Sequence, residues 1–433
     1  MKYLALWIVA LTTLSTTVLR AQDIAGAWQG TLEAGKGLRV VLQISKTEGS
    51  GLRATAYSID QGPEGMAVPS IVLEGSTLKF AIPAINGSYE GKLSADGAAI
   101  SGTWSQNGTS HPLELQRATK ETAWQTDSSP HTVQFVTVDH DVKLEVLDWG
   151  GTGRPLIFLA GLGNNAHVFD KFAPQFTPRY HVYGITRRGF GASSAPAPAD
   201  GNYSADRLGD DVLAVIDGLK LNRPVIAGHS IAGEELSSIG SRHPEKVSGL
   251  IYLDAAFSYA FYDRSRGDMQ LDSIDMKRKL ERILSGDVQD PKQFMQELQA
   301  NLLRMEKDLE ETQKQMASMP APPPRKGPPP AIPTAILAGE QKYTEIRVPV
   351  LAICAVPHNL TQIFNNPALK NNPTAQAAMT ANDLALTSAQ ANAFEAGVPS
   401  AHVVRLPNAD HFVFNSNEAD VLREMNTFLT NLP

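Results

Sequence analysis

The 433-residue chain has one cysteine, Cys354, so an intramolecular disulfide is excluded. That cysteine lies in the apolar run Ala352-Ile353-Cys354-Ala355, where a buried, inert thiol is expected. Charge is sparse, at 19% of residues, and the net −7 is spread along the chain with no basic stripe. Nucleic acid is therefore not an expected partner. Past the N-terminus no stretch approaches a membrane helix in length and apolarity, so no integral membrane segment is expected after removal of a leader. The sequence also lacks a zinc-type His/Cys cluster and a dinucleotide-binding glycine fingerprint. Neither a metal nor an organic cofactor is expected. What is present is an apolar fraction of 42%, enough for a folded chain with a large core.

Residues 1–21 read as a secretory leader. Lys2 gives the positive start, Leu4 to Leu11 the apolar stretch, and Leu19-Arg20-Ala21 the approach to cleavage before Gln22. A secreted or periplasmic location follows as an expectation. Residues 22–118 read as a β-rich accessory domain. Leu38 to Ile44 alternates in polarity, and turns are expected at Glu33 to Gly37 and at Asn86-Gly87. A weak repeat supports this. Ile24-Ala25-Gly26-Ala27-Trp28-Gln29-Gly30 resembles Ile85-Asn86-Gly87-Ser88-Tyr89-Glu90-Gly91, and Ile100-Ser101-Gly102-Thr103-Trp104 echoes it. Aromatics flanked by glycine suggest a small antiparallel meander or barrel.

From about residue 132 the pattern changes. Two hairpin-like segments (133–138 and 142–147) precede six apolar strands near 155–160, 182–185, 225–227, 250–253, 350–353 and 403–406, separated by helical stretches. Such alternation predicts a mostly parallel sheet with helices on both faces. Ligands bind at the carboxyl ends of strands in these sheets. The segment from Phe257 to Arg347 interrupts the rhythm. Phe294, Leu298, Leu302, Met305 and Leu309 form one apolar stripe on a helix, followed by a proline-rich connector at 319–330.

Ser230 lies at a strand end, in Val225-Ile226-Ala227-Gly228-His229-Ser230-Ile231-Ala232-Gly233. Gly228 and Ala232 are the small residues that a sharp strand-to-helix turn requires on either side of an exposed nucleophile. Residues 132–433, with Ala160-Gly161-Leu162-Gly163 and Arg187-Arg188-Gly189-Phe190-Gly191 beside this elbow, resemble an α/β-hydrolase of the serine-nucleophile type. The resemblance implies a helical cap inserted at 257–347. Thr186 stands where many members carry an aspartate.

On that resemblance, Ser230 is the nucleophile, His411 the base, and the amides of Leu162 and Ile231 the oxyanion donors. Most members carry the acid just after the strand ending at Ala355, where this chain continues Val356-Pro357-His358-Asn359. A smaller set supplies it after the preceding strand, which assigns Asp254. Glu234 and Glu235 are next in line. The expected function is a secreted serine esterase acting on small-molecule carboxylic esters. Lyase or carbon–carbon hydrolase chemistry on the same fold, or a non-catalytic binding protein, are the alternatives.

Overall fold

The computed structural model describes residues 23–33, 37–47, 51–59, 65–106, 108–124, 129–199, 201–317, 329–365 and 369–433. The expected leader, residues 34–36 of the first turn, and residues 318–328 of the connector lie outside them.

The N-terminal module is an antiparallel sheet of β1 (Gly26–Leu32), β2 (Leu38–Lys46), β3 (Leu52–Ser58), β4 (Gly65–Val68), β5 (Ser70–Glu74), β6 (Thr77–Ile82), β7 (Gly87–Leu93), β8 (Ala99–Gln106) and β9 (Thr109–Arg117). Its order is β4-β3-β2-β1-β9-β8-β7-β6-β5. Strands β4 and β5 are consecutive in the chain yet stand at the two ends, so the sheet is nearly closed. The three repeated aromatics share one fate, since Trp28, Tyr89 and Trp104 are all buried in the module's core. Glycine beside them is steric in origin: a Cβ on Gly91 would stand 2.5 Å from the Tyr89 hydroxyl. At the expected Asn86-Gly87 turn, Asn86 takes the left-handed conformation (φ 51°) that lets β6 double back into β7.

The second sheet holds β10 (Thr132–Asp139), β11 (Val142–Gly150), β12 (Pro155–Leu159), β13 (His181–Ile185), β14 (Val225–His229), β15 (Gly249–Leu253), β16 (Val350–Ala355) and β17 (Ala401–Leu406). Its order is β10-β11-β13-β12-β14-β15-β16-β17. The last six strands in that order are mutually parallel, while β10 and β11 pair antiparallel at one edge. Every residue of β14, β15 and β16 is buried, which explains why these segments read as unbroken apolar runs rather than alternating ones. Cys354 is buried among them, and burial pushes its thiol up to about 12.

Helices cover both faces. On one, α1 (Ala205–Gly218) and α2 (Ala232–Arg242) bury Val212, Ile216, Leu236 and Ile239. Within the interval between β15 and β16 lie α3 (Met269–Ser285), α4 (Pro291–Ala317) and α5 (Ala331–Gly339). A short α6 (Thr361–Phe364), the long α7 (Pro373–Gly397), α8 (Val413–Ser416) and α9 (Glu418–Asn431) complete the chain. On the other face, α9 contributes Val421, Met425 and Leu429, against Phe158, Phe169, Phe172 and Phe176. Each such side chain, fully buried, is worth about 1.5–3 kcal/mol.

The apolar stripe expected on α4 is corrected by its exposure. Phe294 is buried, but Leu302 and Leu309 are 54% and 45% exposed. Helical phase accounts for this, because the inward residue of the middle turn is Asn301, one position before Leu302, and it is buried. Its amide donates to Asp275 of α3 at 2.7 Å. The inward face of α4 thus holds Phe294, the half-buried Leu298 and Met305, and a buried Asn301 in place of Leu302.

Candidate active site

Two neighbouring strand ends build the site. Ser230 follows β14 with φ 54°, and Asp254 follows β15 with φ 46°, both in the left-handed region that non-glycine residues rarely adopt. The geometry turns each side chain out of the sheet. Close packing enforces the first turn, since a Cβ on Gly161 would meet His229 Nδ1 at 2.8 Å and Ser230 Cβ at 3.1 Å. The Gly161-Leu162 loop after β12 therefore lies directly against the elbow. Ile231 opens α2 as its N-cap, placing its amide at the positive end of the helix.

His411 comes from the loop after β17. Its Nε2 lies 2.9 Å from Ser230 Oγ, and its Nδ1 lies 2.7 Å from Asp254 Oδ2. The three residues singled out in the sequence are thus in one hydrogen-bonded line. His229, the neighbour of the serine, is directed elsewhere. Its Nε2 donates to the His411 carbonyl at 3.0 Å, and burial, followed by the nearby His411, lowers its pKa to about 4. A neutral ring thus props the His411 loop from below.

The competing acids are placed as well. Glu235 is locked in a buried pair with Arg187 (2.6 and 2.8 Å), and the same guanidinium donates to the Ala160 carbonyl at 3.0 Å. Arg187 thereby ties α2 to the loop carrying Leu162. Glu234 is fully buried, and neither carboxyl oxygen has a hydrogen-bonding partner. Burial and the adjacent Glu235 raise its pKa well above the usual range. Thr186 donates to Glu145 at 2.8 Å and accepts from Ala166 N–H at 3.1 Å, a structural use of that position.

Three residues at the site escaped the sequence. Tyr259, just past β15, packs against the cluster around Ile231, and burial followed by the Asp254 and Glu234 carboxyls pushes its phenol well above the usual range. His358 Nε2 lies 2.8 Å from Asp254 Oδ2, and Asp383 of α7 lies 2.9 Å from His358 Nδ1. Burial pushes the Asp254 carboxyl up, but hydrogen bonds from His358 and His411 outweigh it and hold it below the usual range. A further histidine–carboxylate cluster, His131, His167 and Asp170, stands apart from the site near β11. Asp170 Oδ2 lies 2.9 Å from His167 Nδ1, and its Oδ1 lies 3.1 Å from His131 Nδ1.

An apolar cluster and a cavity adjoin these groups. Leu162, Ile231, Tyr259, Phe190, Ile332 and Ala335 form an apolar patch joining α5 to the elbow. A cavity of about 180 Å³ opens beside Phe257, whose ring is 6.4 Å from that of His411. Phe261 and Gln390 also line it.

Residues 154–417 match the family described as the alpha/beta hydrolase fold, which is more than half of the chain. This chain belongs to that family. Among its relatives, 3-oxoadipate enol-lactonase 2 of Acinetobacter baylyi is 33% identical over 117 residues, covering 27% of this chain and 43% of the relative. Fluoroacetate dehalogenase of a Burkholderia species is 31% identical over 116 residues, covering 26% and 38%. Each alignment spans less than half of the relative's length. The crystal structure of E-2-(acetamidomethylene)succinate hydrolase superposes with a TM-score of 0.41 at 19% identity, covering 69% of this chain and 99% of that one. The family match bears out the expectation of an α/β-hydrolase fold. Among the described residues, no helix of this hydrolase-fold chain is long and apolar enough to cross a membrane.

Proposed function

We propose that the chain is a serine hydrolase of carboxylic esters, exported by the leader at 1–21. The observation that carries this reading is the contact line Ser230 Oγ–His411 Nε2 (2.9 Å) and His411 Nδ1–Asp254 Oδ2 (2.7 Å). In the first half-reaction Ser230 Oγ attacks the ester carbonyl carbon while its proton passes to His411 Nε2. Negative charge collects on the carbonyl oxygen, within reach of the Leu162 and Ile231 amides. Collapse breaks the bond to the alkoxy oxygen, which takes the proton from His411. Water then repeats the sequence on the acyl-serine, again with His411 as base. Asp254 holds the imidazole in one tautomer and stabilises its protonated form.

Serine at the elbow, rather than a carboxylate, supports acyl transfer. A relative named as an enol-lactonase acts on an internal ester, which is the same bond class. The apolar patch of Leu162, Ile231, Phe190 and Ile332 suits an apolar acyl chain. In this reading residues 257–347 act as the cap that selects it.

A fluorophosphonate probe tests the core of the proposal. The wild-type protein should label and Ser230→Ala should not, with hydrolysis of short p-nitrophenyl esters falling by several orders of magnitude in the variant. A wild-type protein that neither labels nor turns over ester would reduce the fold to a binding scaffold.

A further inference from the structure

The carboxylate that orients His411 has a second histidine on the same oxygen. Asp254 Oδ2 lies 2.7 Å from His411 Nδ1 and 2.8 Å from His358 Nε2, while Asp254 Oδ1 accepts the Ala355 amide at 2.9 Å. His358 is gripped in turn. Asp383 Oδ1 lies 2.9 Å from its Nδ1, and Asp383 Oδ2 accepts its backbone amide at 2.8 Å. The side chains of Asp254, His358 and Asp383 are 2%, 16% and 17% exposed.

Proton accounting decides the state of the ring. Both nitrogens of His358 face carboxylate oxygens, and a neutral imidazole has only one N–H to offer. One nitrogen would then point a lone pair at a carboxylate. Only the imidazolium satisfies both contacts. The charged and titratable groups facing it are Asp254 from the end of β15, Asp383 from α7, and His411 from the loop after β17, ring centres 5.9 Å apart.

We propose that His358, held by Asp383, is a positioning residue for the hydrolytic reaction, and that its positive charge pins Asp254 in place beneath His411. The inference rests on the serine-hydrolase reading above. A buried carboxylate is costly to ionise, and an unpaired one tends to neutralise or turn away. Here the acid comes from β15, and the loop after β16, where most members place their acid, supplies a cation instead. That cation fixes Oδ2 and the Ala355 amide fixes Oδ1, so the carboxylate has a single orientation. Asp383 restores the negative charge that His358 cancels, and His411 still faces a net anionic unit when it protonates. The unit is a five-membered line: Ser230, His411, Asp254, His358, Asp383.

The pH range of this device follows from the same contacts. Burial opposes the charge on His358, but Asp254 and then Asp383 outweigh it and raise its pKa to about 9. The raised value means that the charged form persists below that pH and is lost above it.

The second-order rate constant for fluorophosphonate labelling of Ser230, measured from pH 5 to 10, tests this without a known substrate. In the wild type the rate should fall above about pH 9. In Asp383→Asn the fall should begin about one pH unit or more lower, because His358 loses one of its two anions. In His358→Gln the rate at pH 7 should drop roughly tenfold or more and the fall near pH 9 should vanish, since the titrating group is gone. His358→Ala should be slower than His358→Gln, whose amide can still donate to Asp254. A wild-type rate flat to pH 10 overturns the proposal without any variant, as does an unshifted profile in folded Asp383→Asn. Absence of labelling in the wild type at every pH would instead reject the serine-hydrolase reading itself.

Discussion

The sheet around Ser230 and the α3–α4 hairpin are held together by opposite means. In β14, β15 and β16 every side chain is buried, and the cohesion is apolar area spread over many residues. The hairpin exposes Leu284 at 87%, Leu303 at 62% and Met295 at 57%, and buries a carboxylate instead. Asp272 of α3 is completely buried and gathers Lys342 Nζ (2.6 Å), the Tyr262 hydroxyl (2.8 Å) and the Arg304 guanidinium (3.5 Å). Apolar burial is non-directional and divides its free energy among many contacts, so no one residue commands it. A buried ion cluster is directional and concentrated, so a single atom group does. The reacting groups stand at the ends of strands held in the first way, with Asp254 fixed further by His358 and Asp383, while the exposed α3–α4 hairpin depends on the second.

The sharpest contrast should come from one carboxylate in each region. Asp254→Asn leaves the sheet's apolar contacts intact but deprives His411 of its anionic partner. Its acylation rate should fall about 10³–10⁴-fold, as read by ester turnover, while hydrogen exchange across β14 to β16 stays protected because Asp383 still holds the charge of His358. Full activity in that variant would move the acid elsewhere and erase the contrast. Asp272→Ala should do the reverse. Removing it takes one anion from Lys342, which keeps Asp275, and one from Arg304, with a cost on the order of 3 kcal/mol. Hydrogen exchange should report lost protection across α3 and α4 while β14 to β16 stay protected. Uniform loss of protection would mean that hairpin and sheet unfold as one unit. The smallest effect on labelling should follow replacement of the hairpin by a short loop. Ester chain-length preference should shift several-fold while fluorophosphonate labelling of Ser230 stays within about twofold. An unchanged length profile in a folded variant would remove the hairpin from substrate selection.

The same contrast explains what was legible in the sequence. The six parallel strands are local signals, because two-faced burial writes itself as continuous Val, Ile, Leu and Ala runs such as Leu250 to Leu253. The N-terminal module declared itself through Trp28, Tyr89 and Trp104; Gly87 lies against the Trp104 ring and Gly91 and Gly102 against that of Tyr89, where a Cβ would clash. Ser230, Asp254 and His411 were legible through the family resemblance, which puts nucleophile, acid and base on loops after strands, and the structure brings all three together. His358 and Asp383 could not. Their partnership joins positions 25 apart to each other and 104 apart to Asp254, and no spacing rule links a β-strand's loop to the middle of a long helix. Tyr259 is likewise a residue of an irregular segment. The α4 stripe misled because helical periodicity registers leucines and is blind to a buried Asn301 satisfied by Asp275.

The left-handed backbone at Ser230 has a consequence for durability. A residue held at φ 54° costs about 1–3 kcal/mol relative to a relaxed backbone, and the surrounding sheet absorbs that cost. Glycine meets no such penalty. A Ser230→Gly protein would shed the strain together with the nucleophile, and should survive heating better than the active form. At this one position, endurance and reactivity are exchanged for each other.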